Sequence, residues 1–392
     1  MRLGITQGYR LIMLQCRSYE KCGACTLLRT AYEDQLRIKR EAVQKAFSDA
    51  GLDIRVREVE GMEDPFHYRN KVIAYVSMKD GKTICGFYEE NSHKVIPAPD
   101  CMLHDHTLNE VLRSIREELD ALKIKAYGFG GVLKNILLRI GVSTGQVMVV
   151  FVTSGEMFHG RKDLIKRLVA RHPQIKTVIQ NINPRETSVV LGEKEMVLHG
   201  SGYILDRLLG NSFKISAKSF YQVNPVQTAV LYTKAIGLAG IGPKDNVMDA
   251  YCGIGTIGLT AAPSAGWVLG VEINGDAVRD AIGNARANGL KNVRFFCDDV
   301  KSFMEGFDEP TDVLFIDPPR SGCDAGFIRA VRRLAPRRLV YISCNPVTQA
   351  RDIAMLKGMY GISDAYPVDM FPHTSHIENI VLLTLKQQFI KI

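Results

Sequence analysis

The chain of 392 residues contains no run of about 18 apolar residues, the length a membrane-spanning helix needs. Its N-terminal stretch, residues 1–16, lacks the small-residue cleavage pattern of an export signal. No internal repeat or low-complexity tract interrupts the sequence. Charge of neither sign dominates: 50 Lys and Arg against 42 Asp and Glu leave +8, a mild excess that suits a polyanionic partner without demanding one. Nine cysteines is an odd number, and without an export signal a disulfide framework is not expected; the cell interior keeps such thiols reduced. What is present is an ordinary globular composition, 46% hydrophobic and 23% charged, in a chain long enough for about two domains.

The positive excess is uneven. Residues 1–212 hold 31 Lys and Arg against 25 Asp and Glu, so most of the surplus lies in the first half, as expected if that half grips an anion. Three cysteines, Cys16, Cys22 and Cys25, fall within ten residues. With a distant fourth they would suit either zinc or an iron–sulfur cluster, both of which accept four thiolates. Cys101 follows a loop, and Cys85 is the rival fourth ligand in a strand-like run. Tyr68, Arg69, Asn70 and Lys71 form a compact basic and aromatic group that could hold phosphate and stack a base.

The first half reads as α+β. An amphipathic pattern over 26–50 and helical patterns over 108–122 and 161–170 are interspersed with strand-like runs at 54–59, 71–76, 83–88, 136–142 and 146–153. From about Lys244 the pattern changes to apolar strands alternating with helices, at 246–251, 267–272, 293–296, 313–317 and 339–343. That alternation predicts a doubly wound parallel sheet, closed by a hairpin of 363–367 and 379–385. A domain boundary is expected near 210–213.

The first of these strands runs into Gly253-Ile254-Gly255-Thr256-Ile257-Gly258, a turn whose glycines let backbone approach a ligand closely, and Glu272 ends the next strand where a carboxylate takes ribose hydroxyls. Alone, this fits NAD and S-adenosylmethionine equally. Asp317-Pro318-Pro319-Arg320 lies at the fourth strand's C-terminal end, where open α/β sheets bind ligands, and its paired prolines make a stiff wall beside a flat substrate. Ser343-Cys344-Asn345-Pro346 puts a cysteine at the tip of the fifth, placed as a nucleophile. Glu378 at the sheet edge is placed as a general base, with His373 and His376 as positioning groups.

Together with Ser219-Phe220-Tyr221-Gln222-Val223-Asn224 and Asp249-Ala250-Tyr251-Cys252, these motifs occur in order from 219 to 378 and resemble the S-adenosylmethionine-dependent RNA uracil-C5 methyltransferases. Cys16, Cys22, Cys25 and Cys101 are similar to the iron–sulfur ligands of the branch acting on 23S ribosomal RNA. The resemblance implies a class I, Rossmann-like α/β methyltransferase domain over 213–392, preceded over 1–212 by an α+β RNA-binding domain carrying a 4Fe-4S cluster on those four cysteines. It implies that Gln222, Tyr251, Gly253, Gly255, Glu272, Asp299 and Asp317 serve the cofactor, Asp298 being the rival of Asp299. It implies Cys344 as nucleophile and Glu378 as base.

Three departures bear on the reading. Fifteen residues precede Cys16, so the N-terminal oligonucleotide-binding barrel common in that branch is expected to be absent. Thr256 stands where some relatives carry Asn. Arg320 stands where cytosine-C5 enzymes usually place a cysteine, which favours uracil. The expected protein is a cytoplasmic monomer that methylates a uridine of 23S rRNA. The alternatives are a tRNA uridine and, from a different class, an iron–sulfur oxidoreductase using a dinucleotide.

Overall fold

The computed structural model describes residues 16–389, which divide into two compact units. The division is not the single cut expected near residue 212. Residues 65–207 and 214–218, with the described residues up to Ala31, make the first unit; Tyr32–Asp64, Leu208–Phe213 and the chain from Ser219 onward make the second. The amphipathic helix of the first half therefore belongs with the C-terminal strands. Its apolar stripe announced a buried face, and nothing in the sequence said which core would bury it.

The first unit is built on a seven-stranded sheet: β1 (Lys71–Lys79), β2 (Lys82–Tyr88), β3 (Val95–Pro97), β4 (Leu133–Gly141), β5 (Gln146–Thr153), β6 (Ile175–Ile182) and β7 (Lys194–Gly200). The strand order is β3-β2-β1-β4-β5-β6-β7, and only β5 and β6 run parallel, joined by the helix Arg161–Arg171. Asp80 and Gly81 both have positive φ, 51° and 75°, the two-residue turn that matches the twist of the strands it joins. Side chains alternate across the pleat. Val72, Ala74 and Val76 are buried in a core with Ile136, Leu138 and Phe151, with Ile115 and Leu119 of the helix His106–Ala121, and with Leu164 and Leu168 of Arg161–Arg171. Lys71, Ile73 and Tyr75 project from the opposite face. Strands β8 (Tyr203–Leu208) and β9 (Asn211–Ser216) form a separate hairpin over Leu209 and Gly210, also both at positive φ.

The second unit carries strands β10 (Asn246–Ala250), β11 (Trp267–Glu272), β12 (Val293–Cys297), β13 (Val313–Ile316), β14 (Arg338–Ser343), β15 (Tyr360–Val368) and β16 (Glu378–Leu385). Their order is β12-β11-β10-β13-β14-β16-β15; the first five are parallel and the last two form the closing antiparallel hairpin. This is the expected doubly wound sheet. The order reverses at β10, which puts a ligand crevice at the carboxyl ends of β10 and its neighbours.

The helix Tyr32–Asp49 inserts Val43 and Phe47 into the core of this unit beside Ile353, Leu356 and Tyr360. The strand expected at 54–59 does not form as such; Val56 and Glu60 make isolated bridges to Ala365 and Val368. The helix also buries polar groups that the sequence pattern would leave in solvent. Lys39 Nζ donates to Asp369 Oδ1 at 2.5 Å and to the Phe371 carbonyl at 3.0 Å, Tyr32 Oη donates to Asp369 Oδ2 at 2.9 Å, and Gln35 Oε1 accepts from the His373 backbone N–H at 2.9 Å. Every one of these contacts anchors the segment 369–373, which leads into β16. Among the described residues, no helix is long and apolar enough to cross a membrane.

Candidate active site

The penultimate residue of β10 is Asp249, whose Oδ2 accepts a 2.8 Å hydrogen bond from the Gly258 N–H. Burial pushes the Asp249 carboxyl up to about 7, against the pull of that hydrogen bond. A Cβ at Gly258 would meet the same oxygen at 3.1 Å, so this glycine allows the close approach of helix to strand. Between them the chain turns through Tyr251, Gly253 and Gly255, all at positive φ (69°, 55° and 84°). A Cβ on Gly255 would press the Phe295 ring at 3.0 Å, whereas nothing lies within 4 Å of one on Gly253. The open space before Gly253 borders Glu272, whose Oε2 accepts from Gly253 N at 3.2 Å and whose Oε1 accepts from Asn274 N at 2.8 Å. A glycine turn with free space before it and a carboxylate at its side fits a nucleoside cofactor.

Asp299 lies two residues past the end of β12, where its Oδ2 caps the helix Val300–Gly306 by accepting from Ser302 N at 3.0 Å and Ser302 Oγ at 3.1 Å. Asp298 Oδ1 accepts from Asp299 N at 2.8 Å. Both carboxylates are exposed. Thr256 Oγ1 lies 3.4 Å from the hydroxyl of Tyr232, a fully buried tyrosine that the sequence reading did not single out.

The motif 219–224 is a clamp. Ser219 Oγ donates to Asp280 Oδ2 at 2.6 Å, and Asn224 caps the helix Pro225–Ala239 while its Nδ2 donates to the Met370 carbonyl at 3.1 Å. Gln227 Nε2 adds bonds to the Glu60 and Asp369 carbonyls at 2.8 and 3.1 Å. Gln222, between Ser219 and Asn224, is buried. Gln227 sits one turn beyond the quoted motif and was missed; its helix carried no amphipathic signal to draw attention to it.

Asp317, Cys344 and Glu378 come together at the carboxyl ends of β13 and β14 and the start of β16. Pairing of Ser343 with Asn379 makes Cys344 and Glu378 neighbours across adjacent strands. Burial pushes Asp317 up to about 7. Glu378 rises well above the ordinary carboxyl range, first from burial and then from Asp317, and its Oε2 is buried without a hydrogen-bond partner. The half-buried Cys344 thiol is raised by burial and by the charges of Glu378 and Asp317, while Arg320 pulls it down by charge and by a hydrogen bond. Arg320 is thus the positive charge of the site; its Nη2 lies 3.4 Å from His376 Nδ1, and its carbonyl accepts from Asn345 Nδ2 at 3.0 Å, which ties the loop after β13 to the loop of Cys344. His373 is buried behind the site, against Gln35.

In the first unit, Cys16, Cys22, Cys25 and Cys101 line one cavity of about 600 Å³ together with Arg69 and His104. Burial and the proximity of the other three thiols push Cys25 up to about 12, with Arg69 opposing. Cys101 is pushed up to about 11, chiefly by burial. Neighbouring thiols thus add to the rise of both Cys25 and Cys101. Among the described residues no three His, Cys, Asp or Glu side chains are grouped as ligands of a metal ion. Cys85 faces the apolar core and does not line the cavity. The basic and aromatic group at 68–71 is not the exposed RNA grip that the sequence suggested. Tyr68 and Asn70 are buried, the Arg69 guanidinium is turned toward the thiols, and Lys71 is half-buried with its ammonium pushed down to about 8 by burial and Arg139.

A family model described as tRNA (uracil-5-)-methyltransferase matches residues 31–386. The chain is 42% identical over 380 residues to an uncharacterised RNA methyltransferase of Halalkalibacterium halodurans, covering 95% of this chain and 83% of that one. It is 43% identical over 375 residues to an uncharacterised RNA methyltransferase of Oceanobacillus iheyensis, covering 93% and 82%. Among solved structures it is similar to the Pyrococcus abyssi tRNA (uracil-54, C5)-methyltransferase in complex with S-adenosyl-L-homocysteine, with a TM-score of 0.77, 26% identity and coverage of 92% and 85%. The chain belongs to the tRNA (uracil-5-)-methyltransferase family and is an S-adenosylmethionine-dependent RNA uracil-C5 methyltransferase.

Proposed function

We propose that Cys344 and Glu378 carry the chemistry at uracil, that the four-cysteine cavity holds a 4Fe-4S cluster, and that the substrate is a uridine of 23S rRNA. The observation that supports the chemical roles best is the half-buried Cys344 beside the buried Glu378 and Asp317, with Arg320 as counter-charge.

Carbon 5 of uracil is too electron-poor to attack an electrophile. Addition of the Cys344 sulfur to carbon 6 breaks the C5–C6 π bond and leaves carbon 5 as an enolate carbon. Arg320 steadies the thiolate against the two carboxyl groups. When bound before Gly253 and Glu272, S-adenosylmethionine supplies an electrophilic methyl group. Glu378 then accepts the carbon-5 proton; the C–H electron pair restores the C5–C6 double bond and the Cys344 sulfur leaves. Asp317 and Glu378 are close enough that they do not both ionise readily, so the pair holds a proton while keeping one basic oxygen, and burial makes that oxygen a stronger base. In this reading Gln222, Tyr251, Gly253, Gly255, Glu272 and Asp317 serve the cofactor. Asp299 contributes through the helix cap it already makes. A base reaches such a site only out of its stack.

The cysteine cavity supports the cluster and the ribosomal target together, because this ligand pattern resembles the branch acting on 23S rRNA. Cys16, Cys22, Cys25 and Cys101 would hold the cluster, and its role would be to fix the segment 16–25 against the loop before Cys101. Similarity to the Pyrococcus tRNA enzyme favours the second reading, a tRNA uridine. An RNA substrate of either kind supports a cytoplasmic location.

Three outcomes test this reading. Cys344→Ala is expected to abolish methylation while leaving S-adenosylmethionine affinity within about twofold, and Glu378→Gln to accumulate a covalent protein–RNA adduct seen by denaturing electrophoresis. A Glu378→Gln enzyme that turns over normally would exclude Glu378 as the base. Protein isolated without oxygen is expected to be brown with broad absorbance near ~400 nm, lost in Cys101→Ser and kept in Cys85→Ser. Colourless protein holding one zinc would replace the cluster with a single ion. Nucleoside mass spectrometry of RNA from a deletion strain is expected to show one 5-methyluridine missing from 23S rRNA, and a loss confined to tRNA would establish the second reading.

A further inference from the structure

The first unit has a second cavity, of about 840 Å³, on the sheet face opposite the helices His106–Ala121 and Arg161–Arg171. Its floor is set by strand register: Tyr75 of β1 lies directly opposite Asn135 of β4. Tyr75 stacks on Tyr88 with ring centroids 3.9 Å apart, and His93 meets Tyr88 edge-on at 5.3 Å. The far wall holds Tyr127, 40% exposed, with Lys134 Nζ 5.4 Å from its ring centroid. Asn135 is 5% exposed, lines the cavity, and its Nδ2 has no hydrogen-bond partner.

A buried amide without a partner costs stability, and an apolar residue in its place would remove that cost. Its presence among three tyrosines has a reason if a ligand brings the missing acceptor. Flat aromatic faces, a cation over one of them and a buried amide donor form the combination that takes an unstacked base, through its π faces and one polar edge.

We propose that this cavity binds an unpaired nucleobase of the substrate RNA, stacked against Tyr75, Tyr88 or Tyr127 and reached at its edge by Asn135. The nucleotide it takes is not the uridine that is methylated, since none of the residues of the Cys344 site lines the cavity. The inference rests on the RNA methyltransferase reading and adds a separate recognition site to it.

Asn135→Leu tests it, with bulk RNA from a deletion strain as the methyl acceptor. The apparent KM for that RNA is expected to rise about tenfold, with kcat and affinity for S-adenosylmethionine unchanged and thermal stability equal or higher. Substrate RNA carrying 4-thiouridine is expected to photocross-link to Tyr75, Tyr88 or Tyr127 in the wild-type protein. A KM within twofold of wild type, or a fall in kcat together with stability, would overturn the proposal and leave the methyltransferase activity standing. Cross-links mapping only to the second unit would overturn it equally.

Discussion

Two buried carboxyl groups and a half-buried thiol held against one guanidinium set the terms for the second unit. Burial raises Asp317, burial and Asp317 raise Glu378, both carboxyl groups raise Cys344, and Arg320 pulls Glu378 and Cys344 the other way. Such a cluster would spread apart or flood in a soft loop. It persists because its members sit at the ends of strands β13, β14 and β16, whose positions are fixed by a parallel ladder and an antiparallel one. The loops between are tied as well: Asn345 bonds the Arg320 carbonyl, and Gln349 bonds the Tyr341 carbonyl and the side chain of Asn379. A carboxyl held dry, with Oε2 unpartnered, is the state that the role proposed for Glu378 requires.

The same unit is stiffened from behind by groups that carry no chemistry. Lys39 and Asp369 form an ion pair almost wholly removed from solvent. Breaking a pair of this kind by removing one partner costs about 3–5 kcal/mol, because the other charge stays buried. Gln35, Asn224 and Gln227 bond the backbone of the same segment, 369–373. Five residues later the chain delivers Glu378. In the proposed mechanism the helix Tyr32–Asp49 would act through the loop it holds, as a positioning element.

The parallel sheet was legible because its strands are short apolar runs alternating with helices; the glycine turn, Asp317 and Cys344 sit where those strands end, and Glu378 where the antiparallel β16 begins. The allegiance of the helix at 32–49 was not legible. Periodicity reports that Val43 and Phe47 are buried, and it is silent on the core that receives them; Lys39 and Gln35 looked like solvent-facing residues of its polar side. The group at 68–71 misled for the same reason. Composition shows a basic cluster, and only the fold shows that Arg69 is turned toward thiols instead of phosphates. Arg320 was read as standing where cytosine-C5 enzymes place a cysteine, whereas the geometry makes it the counter-charge of the thiol.

The account stands on covalent addition at carbon 6 followed by loss of the carbon-5 proton. RNA labelled with tritium at carbon 5 of uridine, methylated by the wild-type enzyme, measures that directly. One tritium should pass to water for each methyl group incorporated, and both should be absent with Cys344→Ala. Methyl incorporation with tritium retained in the RNA would contradict the roles given to Cys344 and Glu378.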